Sequence, residues 1–257
     1  MPRTLSLLVF TAAIALAGAG KAAARPAADE RGFDMVSIPL LGDGKPNAAD
    51  GPVTGYLFRP EGGGPFPAVV IMHGCNGLDW LISGTPGWAL AKRYAARYVA
   101  HGYAALILDS FEPRGINNAC GSPMSVSPQR RAWDAVSAAR WLGARQDIDK
   151  RRLVLQGDSH GGWTVLVALY INRAPAPVPF AAGIAFYPYC PENAPGFSVP
   201  LLVLIGGRDD WTPATHCSAM VAHLGRKSGS AVELKIFPGA THAFDFPLPA
   251  RTNRLGH

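Results

Sequence analysis

Short apolar runs alternate with segments of helical period along most of this chain. Ala68-Val69-Val70-Ile71-Met72 contains no polar residue, and a run of that length without alternation belongs to a strand covered on both faces. Tyr103 to Leu108, Leu153 to Leu155, Ile184 to Tyr187, Leu201 to Ile205 and Val232 to Phe237 read as further strands. Between them, Pro86 to His101 gathers Trp88, Leu90, Tyr94, Ala95, Tyr98 and Val99 on one helical face, and Gly102 stops it. Ser127-Pro128 opens a helix as N-cap and first helical residue, running to about Arg145. Trp163 to Asn172 and Ala214 to Lys227 complete the helices. Met35 to Leu41 and Val53 to Arg59 predict a hairpin, and Ser110 to Val126 a long loop. Alternating strands and helices with buried strands predict a mostly parallel sheet with helices on both faces. Its ligand crevice is expected at the carboxyl ends of the strands.

The N-terminal segment has another character. Arg3 precedes a charge-free apolar run from Leu5 to Ala17, followed by Ala17-Gly18-Ala19 and Ala22-Ala23-Ala24. This is the pattern of a secretory signal peptide. The expected boundaries are a signal peptide over 1–24, or cleavage after Ala19, and a single domain over 25–257. The apolar run is shorter than the roughly 18 residues of a membrane span, so the mature chain is expected to carry none. Four cysteines, Cys75, Cys120, Cys190 and Cys217, form no C-x-x-C pair. Three disulfide pairings are open to them. Cys75–Cys120 and Cys190–Cys217 are favoured, because each would join loops that follow successive strands at one sheet edge.

Composition narrows the picture. Charged residues are 16% of the chain against 48% hydrophobic, which argues for a packed core and against disorder. The net charge of +6 is scattered, no nucleic-acid module is recognisable, and no nucleic-acid partner is expected.

Three polar residues stand at strand ends in a telling order. Leu153-Val154-Leu155 leads into Gln156-Gly157-Asp158-Ser159-His160-Gly161-Gly162 and then a helix. Gly-x-Ser-x-Gly between strand and helix is a nucleophile elbow, a turn so tight that its flanking positions have no room for side chains. An acid is expected after a later strand, and Leu201 to Ile205 leads to Gly206-Gly207-Arg208-Asp209-Asp210. Asp209 is the first candidate and Asp210 the alternative. The base is expected after the last strand, where His242 stands. The order Ser159, Asp209, His242 is that of a Ser-acid-His relay. The second oxyanion donor comes from His73-Gly74-Cys75-Asn76-Gly77, with the Cys75 N–H acting beside the His160 N–H. Cys75 as a nucleophile is the rival reading, on a loop rather than an elbow. Arg114 is a candidate to hold a substrate carboxylate, or else pairs with Glu112 or Asp109. Trp80 and Trp211 flank the catalytic loops as candidate pocket walls.

Together, His73-Gly74-Cys75-Asn76-Gly77, Gly157-Asp158-Ser159-His160-Gly161-Gly162, Gly206-Gly207-Arg208-Asp209 and Gly239-Ala240-Thr241-His242-Ala243-Phe244 resemble the dienelactone hydrolase family over roughly residues 50–245. The resemblance implies the α/β-hydrolase fold and aligns Asp209 and His242 with the family's acid and base. Dienelactone hydrolases proper carry Cys at the elbow. Ser159 moves the expected chemistry towards a serine esterase. The tail after His242, interrupted by Pro247 and Pro249, is too short for the helix with which the family usually ends. The expected protein is an exported serine hydrolase for a small carboxylic ester or lactone, working through an acyl-enzyme without metal or organic cofactor. The alternatives are a catalytically inactive ligand-binding protein on the same fold and a small peptidase.

Overall fold

The computed structural model describes residues 32–42, 45–46, 51–78, 86–170, 180–225 and 231–246. The expected signal peptide over 1–24 and the tail beyond Phe246 lie outside them. In chain order the elements are β1 (Asp34–Ile38), β2 (Leu41–Gly42), β3 (Lys45–Pro46), β4 (Val53–Phe58), β5 (Phe66–Met72), α1 (Pro86–Ala100), β6 (Ala104–Asp109), α2 (Pro128–Gly143), β7 (Ile148–Asp158), α3 (His160–Leu169), β8 (Ala182–Phe186), β9 (Leu201–Gly206), α4 (Ala214–Gly225) and β10 (Val232–Phe237).

Eight strands form one sheet in the order β1-β4-β6-β5-β7-β8-β9-β10, and β2 and β3 pair apart from it. β1 runs antiparallel to β4, and β4 antiparallel to β6. From β6 onward all neighbours are parallel. The expected hairpin is therefore the β1–β4 pair, added to the edge of a parallel sheet.

The unbroken apolar runs have the reason the pattern suggested. Side chains alternate across a strand, and both faces are covered. Val69, Ile71, Ala105 and Ile107 pack under α1 with Leu90, Ala91 and Tyr94. Val70, Met72, Leu106 and Leu155 face the other way, towards Ala135, Ala139, Val165 and Met220 of α2, α3 and α4. Ser127 caps α2 by accepting the Arg130 N–H at 3.2 Å.

Two elements differ from expectation. β7 begins at Ile148, five residues before the predicted strand, because Lys150-Arg151-Arg152 are exposed and hide the strand from a hydrophobicity reading. α3 begins at His160 rather than Trp163, since Gly161 and Gly162 lower helix propensity but are held by tertiary packing. Among the described residues no helix is long and apolar enough to cross a membrane.

Candidate active site

β7 ends at Asp158 and α3 starts at His160, so Ser159 alone makes the turn. Its φ of 52° and ψ of −115° lie outside the regions ordinary residues occupy. Such a conformation costs about 1–3 kcal/mol and persists only where the surroundings enforce it. Here the enforcement is visible. The Ser159 N–H donates to the Phe186 carbonyl at 2.9 Å, and its own carbonyl receives the Trp163 N–H at 2.9 Å. A Cβ on Gly161 would collide with the carbonyl oxygens of Met72 and His73, and one on Gly157 with the Gly161 backbone. Gly161→Ala is expected to cost about 3 kcal/mol of stability, because backbone cannot yield as a side chain can. Urea unfolding measures it.

Asp209 and His242 converge on that serine. The Ser159 hydroxyl donates to His242 Nε2 at 3.0 Å, and His242 Nδ1–H donates to Asp209 Oδ2 at 2.8 Å. Asp209 is itself fixed. Its Oδ1 accepts the N–H groups of Trp211 at 3.0 Å and Thr212 at 2.8 Å. The Thr212 hydroxyl stands 3.0 Å from Oδ2 and 3.1 Å from the Tyr187 carbonyl. Asp209 and His242 are both buried, whereas Asp210, the alternative acid, is exposed. The rings of Tyr187 and Trp211 lie 4.7 and 5.1 Å from that of His242 and pack against the imidazole.

The loop after β5 and the start of α3, where the oxyanion donors are expected, are held from behind. Cys75 is joined to Cys120, and Cys190 to Cys217. Cys75 is thus a disulfide partner rather than a thiol, which removes the rival nucleophile. Its carbonyl accepts the Ala119 N–H at 2.7 Å, tying the loop after β5 to the loop after β6. His160 opens α3, and the N–H groups of a helix's first turn have no partner within the helix. The His160 ring is fixed at both nitrogens: Nδ1 receives the Arg131 guanidinium at 2.6 Å, and Nε2–H donates to the Pro123 carbonyl at 2.7 Å. Burial first, and then the Arg131 charge, push its pKa down to about 3. The ring is neutral at pH 7 and has no lone pair to spare for catalysis. His73 is likewise held well below its usual value, by burial and then by Arg131.

Arg131 was invisible as a site residue. Its side chain is fully buried, donates also to the His73 carbonyl at 2.7 Å, and lies 4.8 Å over the Phe111 ring. In the sequence it is one of two adjacent arginines, Arg130 and Arg131, near the start of α2, and nothing marks which of them turns inward. Thr212 carried a faint signal, its position three residues after the acid.

Asp158, inside the elbow, is buried, and its pKa is pushed up to about 8 by burial first and then by Asp245, against the pull of Arg131 and the Gly74 N–H. Asp245 in turn accepts the hydroxyls of Tyr94 and Tyr187. The fold therefore keeps a proton on Asp158 up to about pH 8, while an unfolded Asp releases it near pH 4. Stability is withdrawn as pH rises through that window. Asp158→Asn retains an acceptor for Gly74 and has nothing to titrate. It is expected to be about 3 kcal/mol more stable than the parent at pH 8, with the gain fading towards pH 4, in urea titrations across that range.

A cavity of about 520 Å³ opens from Ser159 over α3, with His160, Trp163, Tyr189, Trp211 and the Cys75–Cys120 disulfide in its wall. Trp211 thus reaches the expected place. Trp80 lies outside the described residues. Arg114 does not line the cavity. Both its terminal nitrogens donate to Asp134 at 2.8 Å, and one also donates to the Ser110 carbonyl at 2.7 Å. The expected carboxylate holder is thereby occupied by a carboxylate of the protein itself, on α2 rather than the Glu112 or Asp109 partners considered from sequence.

Known proteins resemble this chain in sequence and in fold. The model of the dienelactone hydrolase family matches residues 53–254. A probable 2-oxo-3-(5-oxofuran-2-ylidene)propanoate lactonase of Bradyrhizobium sp is 26% identical over 74% of this chain and 77% of its own length. Among solved structures, a putative dienelactone hydrolase from Klebsiella pneumoniae superposes with a TM-score of 0.62 at 20% identity, over 83% of this chain and 88% of that one. Thermogutta terrifontis esterase 2, phosphorylated by paraoxon, gives 0.58 at 21% identity, over 84% and 86%. At such identities the two structures speak for the fold, which is that of the α/β-hydrolases.

Proposed function

The chain belongs to the dienelactone hydrolase family, and from that premise we propose that it is an exported serine hydrolase cleaving a carboxylic ester or lactone through an acyl-enzyme. One observation carries the reading: an unbroken hydrogen-bond relay from Asp209 through His242 to Ser159, at 2.8 and 3.0 Å, ending on a serine held at an elbow. His242 Nε2 takes the hydroxyl proton as Ser159 Oγ adds to the carbonyl carbon. The oxygen that gains charge is stabilised by the His160 N–H at the start of α3 and by the Cys75 N–H on the loop after β5. His242 returns the proton to the departing alcohol oxygen, and the ester bond breaks. A water then gives a proton to His242 and its oxygen to the acyl carbon, and His242 passes that proton to Ser159 Oγ as the acyl–Oγ bond breaks, which releases the acid and restores Ser159. Asp209 keeps the proton on Nδ1 throughout.

Export is supported by the two disulfides, because such bonds persist in oxidising compartments, and by the signal-like pattern of the first 24 residues. Family membership and the esterase among the structural neighbours support ester hydrolysis over a purely binding role. The test is a fluorophosphonate probe with peptide mass spectrometry. A single stoichiometric adduct on Ser159 is expected. A folded protein that takes up no probe, or takes it elsewhere, would overturn the reading in favour of ligand binding.

A further inference from the structure

Two cavities meet at Ser159, and they differ in size and in which catalytic group they contain. The larger, of about 520 Å³, runs over α3 to Trp163 and Tyr189 and does not include His242. The smaller, of about 150 Å³, is walled by His242, Tyr187 and Phe246. Both share Cys75, Cys120, Ser159 and Trp211. This division assigns the two halves of an ester. The departing alcohol oxygen must receive its proton from His242 Nε2, so the alcohol lies in the cavity that His242 lines. The acyl carbon is bonded to Ser159 Oγ, and its substituent extends away from His242 into the larger cavity.

Building on the hydrolase reading above, we propose that this site takes esters of a small alcohol with a bulky, neutral, aromatic acyl group. The smaller cavity is well below the ~300–1,000 Å³ of sites that hold drug-sized groups, and the larger is within that range. Trp163 and Tyr189 stand with ring centroids 4.8 Å apart and tilted by 58°, and with Trp211 they present ring faces and edges to an incoming ring. Among the described lining residues there is no lysine or arginine. Arg114 is held by Asp134 and Arg131 lies behind His160. The charged side chain at the rim is Asp210. A carboxylate on the acyl group would find no partner there and would face a like charge.

An isomeric pair tests this. Ethyl 3-phenylpropanoate places the ring on the acyl side and 2-phenylethyl propanoate places it on the alcohol side. Both have the same formula and unactivated alkyl leaving groups. The wild-type protein is expected to favour the first by at least about tenfold in kcat/KM. Trp163→Ala is expected to bring that ratio close to one, and so is Tyr189→Ala, whose half-exposed ring can be removed with little risk to folding. Equal turnover of the two isomers, or preference for the second, overturns the inference. So does failure to hydrolyse either while the probe still labels Ser159. Absence of both hydrolysis and labelling in a folded protein overturns the hydrolase reading beneath it.

Discussion

Ser159→Ala is expected to lower kcat for any ester the protein hydrolyses by about 10⁶, and His242→Ala by a similar factor. The double variant should lose no more than either single one, because serine and histidine act as one unit and neither works without the other. Asp209→Asn should cost about 10⁴, for a reason read from its contacts. Oδ1 already accepts two backbone N–H groups, from Trp211 and Thr212. An asparagine must place its oxygen there and turn its NH₂ towards His242 Nδ1. The imidazole then carries its proton on Nε2 and can no longer accept the Ser159 proton. Steady-state rates on one ester, with circular dichroism as the folding control, measure all four proteins. A Ser159→Ala variant retaining a tenth of the activity would mean that catalysis runs elsewhere.

Arg131→Met is expected to destabilise the protein by about 3–5 kcal/mol, as removal of one partner from a buried charged network does. Burial pushes the guanidinium pKa down to about 10, while Asp134, Asp158 and Asp109 favour its charge, so it is ionised at pH 7. Removing it strips the donor from His160 Nδ1 and from the His73 carbonyl and takes a buried positive charge from beside Asp109 and Asp134, of which only Asp134 keeps another guanidinium partner, Arg114. Arg131→Lys should recover only part of the loss, since one ammonium cannot reproduce a planar fork that reaches two acceptors. Urea unfolding at pH 7 gives the stability. The kcat of the surviving folded fraction gives a second readout, because the same guanidinium braces His160 and the loop that leads to Cys75.

Much of this site could be read in one dimension because its signals are local. Strand Leu153-Val154-Leu155, the glycine-flanked Ser159 and the following helix are neighbours in sequence. The steric rule that needs glycines there acts over five residues. Asp209 and His242 stand next to strands recognisable from their own apolar runs, and a loop after a parallel strand has one direction to point. The parallel character of the sheet follows from the same alternation, and so does the cysteine pairing, although Cys217 sits on the first turn of α4 rather than on a loop.

The rest depended on contacts between distant segments. The strand order β1-β4-β6-β5-β7-β8-β9-β10 is a property of how layers pack, and no run of residues encodes it by itself. Arg114 carries the same guanidinium whether it meets a substrate or Asp134, twenty residues on. Arg131 looks like its exposed neighbour Arg130 until α2 packs and rotates one inward and the other out. Trp163 reads as a helix residue and Tyr189 as a loop residue, and the cavity between them exists only once α3 and the loop after β8 are stacked. Sequence by itself determined the candidate chemistry, because covalent neighbours and steric turn rules place a candidate nucleophile, acid and base at strand ends. Tertiary structure decided what that chemistry can reach, because burial and long-range pairing settle which charges are already engaged and which surfaces remain for a substrate.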